Sequence, residues 1–185
     1  PDYPLEIAVI PPRLDHDYYT LVTVGLSRHR MGFPEERREE KLERAELLIN
    51  LPRDWRLTKA DCREERWSWP IRMMLATAHF AMEDPEVGLE SRTTLELRGE
   101  ILLCPGVFGT DSFFCRLPDG DEVNFYQVIP LYREEIQYKL EHGSDALLDL
   151  CPDESLEVIN PHRLNVVTDG EKISYDPAEM DNAAE

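Results

Sequence analysis

Two periodicities of apolar residues divide this chain into elements. Leu5, Ile7 and Val9 alternate with Glu6 and Ala8 until Pro11-Pro12 stop the run, which predicts a short strand. Tyr18 to Val24 is rich in β-branched and aromatic residues and ends at Gly25, a second strand. From Pro34 to Glu43 charges of both signs crowd out apolar residues, so a loop or short exposed helix is expected. Glu46 to Leu51 reads as a strand closed by Pro52. The period then changes. Ile71, Met74, Leu75, Ala78 and Met82 fall at helical spacing, with Pro70 suited to a first turn and Asp84-Pro85 as the stop. Thr93 to Cys104 returns to alternation and then to a continuous apolar run, read as one strand.

Phe113–Leu117 and Glu122–Ile129 flank Pro118-Asp119-Gly120-Asp121, and Asp-Gly between two such runs predicts a β-hairpin. Leu131 to His142 is an amphipathic helix with Ile136 and Leu140 on one face and Gly143 beyond its end. Glu134-Glu135 read as its solvated face. Ser144 is suited to cap the following turn, Asp145 to Leu150. Ile159 and Val166-Val167 suggest a last strand or docked segment. The expected fold is α+β, a mainly antiparallel sheet with helices packed against it. The expected organisation is a single domain over 1–168 and an acidic, poorly ordered C-terminal tail over 169–185.

Charge narrows the function. With 38 Asp/Glu against 20 Lys/Arg, the net charge is −18. A field of that sign repels phosphates and anionic lipid headgroups and favours basic partners, so direct nucleic-acid and membrane binding are not expected. No run of eighteen apolar residues could span a bilayer. Cys62, Cys104, Cys115 and Cys151 form no C-x-x-C pair and read as buried thiols of a reducing, cytoplasmic protein.

Groups able to make or break bonds are sparse. The five histidines form no ligand pair, and His79 reads as a core-edge residue of its helix. Asp119 and Asp121 lack the rest of a calcium loop. No nucleophile elbow or phosphate-cradling loop is present. No enzyme, metal or cofactor is expected. Trp55 and Trp69 read as core, while Trp67, set among Glu64, Glu65, Arg66 and Ser68, reads as a surface contact residue.

Several landmarks stand in order. They are Thr23-Val24-Gly25-Leu26-Ser27, Arg44-Ala45-Glu46-Leu47, Leu51-Pro52 with Trp55, Trp69-Pro70-Ile71-Arg72, and Asn124-Phe125-Tyr126-Gln127 leading to Pro130-Leu131-Tyr132. Over roughly residues 5–150 the chain resembles the suppressor of fused domain family, and specifically its bacterial branch. The resemblance implies protein binding without catalysis or cofactor. Animal members hold transcription factors of the Hedgehog pathway, and bacterial ones occur as immunity proteins beside polymorphic toxins. An immunity protein neutralising a basic toxin domain is the leading expectation. A regulatory or scaffold module is the alternative, and an unrecognised enzyme the third reading. The segment 83–93 departs from the family's T-W-x-G-x-G-H-T-like stretch, keeping only Gly88. Asp84, Glu86 and Glu90 in that segment, with Trp67, are the expected partner-binding residues.

Overall fold

The computed structural model describes residues 4–84, 88–96, 100–105, 107–108, 111–112, 114–151 and 156–168. The N-terminal strands follow the sequence pattern closely. β1 (Glu6–Ile10) pairs antiparallel with β2 (Tyr18–Val24), and β2 pairs antiparallel with β3 (Ala45–Pro52). Gly25 ends β2 at φ +118°, where a Cβ would stand 2.8 Å from the Pro4 carbonyl oxygen. The charged stretch folds into an exposed 3-10 turn, Glu35–Glu40.

β3 is the centre of the molecule. Its residues through Leu51 are buried, as the unbroken run Ala-Glu-Leu-Leu-Ile-Asn-Leu requires of a strand covered on both faces. Ala45, Leu47, Ile49 and Leu51 share one core cluster with Trp55 and with Trp69, Met73, Met74 and Ala78 of α1 (Glu65–Glu83). That helix begins six residues before the expected Ile71. Glu64 opens it, its carbonyl accepting from the Trp67 and Ser68 N–H groups, and Pro70 lies inside rather than in the first turn. Packing of Trp69 on Trp55 (ring centroids 6.0 Å apart) places these residues in the helix despite the proline. His79 faces solvent from it, not the core edge.

The expected strand Thr93–Cys104 is two strands. β4 (Thr94–Glu96) pairs antiparallel with β5 (Glu100–Pro105), in register Thr94 to Leu102. The change from alternating to continuous apolar residues within that run marks the division between an edge and an interior strand. A short pair, β6 (Val107–Phe108) and β7 (Asp111–Ser112), follows. β8 (Phe114–Arg116) and β9 (Glu122–Leu131) form the expected hairpin, with Gly120 at φ +90°. Cys115 is exposed there, contrary to the buried thiol expected, because β8 lies at the margin of the sheet. The Cys104 side chain lies outside the described residues.

Among the described residues the sheet order is β1-β2-β3-β9-β5-β4, with β8 beside the start of β9. It is mixed. β3 and β9 run parallel, Ala45 opposite Asn124, while the sheet's other pairings are antiparallel. Chain-adjacent hairpins announce antiparallel pairs, whereas this contact joins strands far apart in sequence across the α1 excursion.

α2 (Arg133–His142) and α3 (Ser144–Leu150) pack with Ile129 and Leu131 in a second cluster, which includes Leu147 and Cys151. Since Tyr126 and Val128 belong to the first cluster, β9 alternates its side chains between two layers. Leu131 remains in the strand, and α2 begins two residues later than the amphipathic run suggests. Ser144 is the first residue of α3 rather than its cap. Leu140 is 71% exposed and does not share the buried side of Ile136. The segment 156–168 docks without forming a strand. Gln127 Nε2 donates to the carbonyls of Leu156 and Glu157 at 2.7 and 2.9 Å, and Asn50 Nδ2 donates to the Glu157 carbonyl at 2.8 Å. Ile159 N–H reaches the Asn50 carbonyl. These bonds come from Gln127, in the last β3–β9 ladder pair with Leu48, and from Asn50 just beyond it, so the segment closes the end of that pairing. The tail over 169–185 lies outside the described residues.

Candidate protein-binding surface

The end of the sheet where β3 and β9 begin gathers loops from distant parts of the chain, and one buried and several half-buried carboxylates hold them. Glu46, 6% exposed, lies in β3. It accepts from the Thr23 hydroxyl at 2.6 Å and from the backbone N–H groups of Gly25 and Ser27, each at 3.0 Å. Three donors replace the hydration that burial removes from this carboxylate. The Arg44 guanidinium then donates from Nη1 to the Ser27 carbonyl at 2.8 Å and from Nε to Asp121 at 2.8 Å. The Thr23–Ser27 and Arg44–Leu47 landmarks are thus two halves of one lock.

Asp121 sits in the β8–β9 turn and pairs with Arg30 as well as Arg44. The Arg44 hydrogen bond and these cations hold its carboxyl below the usual range. Lys41 reaches Glu122 and the Gly120 carbonyl, both at 3.2 Å. Arg37 makes two bonds to Glu90, at 3.1 and 2.7 Å, and two to Glu40. Loop 25–44, segment 88–93 and the hairpin turn therefore form one surface cross-braced by charge. Below it Gly88 sits against Phe33, with no room for a Cβ (2.4 Å), and Leu89 N–H contacts the Met31 sulfur at 3.4 Å. Tyr126 is buried beside these groups; burial first, then the Glu90 charge, pushes its hydroxyl pKa up to about 12.

The structure disperses the residues singled out from sequence. Asp84 is exposed at the end of α1. Glu90 is half-buried and bound bidentately by Arg37. Glu86 lies outside the described residues. Trp67 is in the first turn of α1, seventeen residues before Asp84, which at 1.5 Å per residue separates them by about 25 Å. Its neighbours are basic: the Arg56 and Arg66 guanidinium carbons lie 5.7 and 5.4 Å from its ring centroid. Trp55 and Trp69 are core residues, at 7% and 4% exposure.

Glu135 is not on a solvated face. It is fully buried, accepts from the Tyr132 N–H (2.9 Å) and the Val166 N–H (3.1 Å), and binds both terminal nitrogens of Arg163. Burial opposes charge on Arg163, but the hydrogen bonds and charge of Glu135 outweigh it and raise its pKa. Sequence reasoning missed the pair because its members are 28 residues apart. The only local signal was Glu135 three residues after Tyr132, the spacing of a helix-capping carboxylate. Beside Arg163, a cavity of about 20 Å³ lined by Trp69, Gln127, Tyr132 and Ile159 has room for about one water. Among the described residues no three His, Cys, Asp or Glu side chains converge to hold a metal ion, and no helix is long and apolar enough to cross a membrane.

A family model described as suppressor of fused protein matches residues 1–164. The uncharacterized protein UU111 of Ureaplasma parvum serovar 3, a bacterial relative, is 24% identical, over 80% of this chain and 73% of that protein. Two solved structures share the fold. One, described as the Sufu-Fu complex, has a TM-score of 0.56 at 15% identity and aligns with 88% of this chain and 76% of its own. The other, Drosophila Suppressor of Fused, has a TM-score of 0.56 at 16% identity, with 88% of this chain covering 42% of that one.

Proposed function

The chain belongs to the suppressor of fused family, a protein-interaction fold, and on that premise we propose that it is a non-catalytic immunity protein, cytoplasmic, that neutralises a cognate bacterial toxin. One observation carries the reading furthest: a net charge of −18 on a protein-binding fold. Toxins that act on nucleic acid need basic clefts, and an acidic protein is steered into such a cleft at an enhanced rate. Asp84, Glu86 and Glu90 are the proposed contacts, and Glu90 belongs to the cross-braced loops. Glu90 would exchange its Arg37 partner for a cation of the toxin. The non-catalytic reading is supported by how the buried ionisable groups are used. Glu46 and Glu135 both spend their acceptor capacity holding loops and a helix start.

The test is co-expression with the toxin encoded beside its gene. Rescue of growth is expected, with a purified complex whose affinity falls as salt rises and falls further in Asp84→Lys. A toxin that remains active and uncomplexed beside this chain removes the reading. A regulatory module is the second reading, favoured by the likeness to a chain solved in the Sufu-Fu complex. Complex formation with an endogenous protein, in a locus without a toxin gene, would decide for it.

A further inference from the structure

One stretch of this acidic molecule has the opposite sign. Residues 53–72 contain six Lys/Arg and four Asp/Glu, in a chain of net −18. One of those acids, Asp61, is buried and taken by Arg56 at 2.5 Å and by the Thr58 hydroxyl at 2.5 Å. Arg56 and Arg66 keep 55% and 62% of their side-chain surface exposed while bracketing the Trp67 ring, with Arg66 also paired to the exposed Glu64 at 2.6 Å. Arg63, in the 3-10 turn Asp61–Arg63 just before α1, and Lys59 are exposed and make no ion pair among the described residues.

Trp67 itself is half-buried and meets Trp55 edge-on at 5.4 Å. Trp55 gives its indole N–H to the Trp67 carbonyl at 3.0 Å. The Trp67 indole N–H is enclosed and has no acceptor among the described residues. That enclosed N–H is out of a partner's reach, so what a partner would meet is the ring between the Arg56 and Arg66 guanidinium groups. Guanidinium groups bind carboxylates bidentately, and an indole ring supplies the apolar contact between them.

We propose that Trp67, framed by Arg56, Arg66, Arg63 and Lys59, is a docking surface for a short acidic peptide segment of a protein partner. It lies at the opposite end of α1 from Asp84, so it is a second surface of opposite charge to the proposed toxin contacts. A long polyanion such as nucleic acid would extend from this patch into the surrounding negative field, whereas a short carboxylate-bearing segment stays within it.

The experiment uses the full chain and a short synthetic Asp/Glu-rich peptide containing one leucine, titrated by tryptophan fluorescence and calorimetry. It needs no toxin, so it stands or falls apart from the immunity reading. Saturable binding is expected, weakened by added salt. The double variant Lys59→Glu/Arg63→Glu changes exposed residues only and should weaken binding about tenfold or more, with an unchanged melting temperature. Trp67→Ala should abolish the fluorescence response and binding together. The proposal is overturned by an undetectable interaction, by equal binding of a Lys/Arg-rich peptide, by indifference to the double charge reversal, or by a single-stranded oligonucleotide that binds the patch better than the peptide.

Discussion

Glu135 and Arg163 show what one buried pair asks of a fold. Glu135 has no exposure and the Arg163 side chain 13%, so neither charge keeps its hydration. Removing one partner strands the other. Arg163→Ala is expected to cost about 3–5 kcal/mol in urea unfolding, while Glu135→Leu with Arg163→Met should recover much of that loss. Two other buried groups contribute to the alkaline limit. Burial, then the charge of Glu135, pushes the Cys151 thiol from 9.0 to about 11. Burial and the Glu90 charge push Tyr126 from 10.0 to about 12. Over those ranges the unfolded chain has released protons that the folded protein still holds. It therefore binds fewer protons, and stability falls as pH rises. Stability from these groups should be complete below about pH 9 and decline toward pH 12, and Tyr126→Phe should flatten the fall above pH 10 in pH-dependent denaturant titrations.

Elements differ in how much of themselves they announce. β2 and the β8–β9 hairpin were legible to within a residue or two, because a β-branched run and an Asp-Gly turn are local instructions. β3 was legible as a strand, while its burial on both faces came from the structure. Ile49, fully buried between β2 and the α1 layer, should cost about 2–5 kcal/mol when changed to Ala, measured by the denaturation midpoint. Boundaries set by packing were not legible. The start of α1 moved to Glu65 because Trp69 finds Trp55, and Pro70 remained inside the helix. The solvated reading of Glu135 failed because neighbouring positions on α2 face different surroundings. Glu134 is exposed, and Glu135 turns inward to Tyr132 and Arg163.

For the molecule as a whole, charge is a stability term as well as a recognition term. A net −18 repels itself in the compact state, and salt screens that repulsion. The melting temperature should therefore rise as NaCl is increased from about 0.01 M to about 0.5 M, where the Debye length falls from about 30 Å to a few Å. A flat or falling dependence in scanning calorimetry would show that the cross-bracing pairs around Asp121, Glu122 and Glu90 outweigh the net repulsion. The candidate surface was legible only in part. Segment 83–93 was marked by its departure from the family stretch, but nothing local revealed that Arg37 grips Glu90 across 53 residues. The basic setting of Trp67 was visible as nearby arginines, yet their stacking on its ring was not.

Sequence alone determined β1, β2, β3 and the β8–β9 turn, the sign of the molecular field and the membership announced by ordered landmarks, since each depends on residue type and short spacing. Tertiary structure alone decided the parallel β3–β9 contact, the Glu46 and Glu135 locks, and the separation of Trp67 from Asp84 by the length of a helix. Those depend on which distant groups meet. Burial enforces such meetings by making an unpartnered polar group costly, and a linear pattern does not record them.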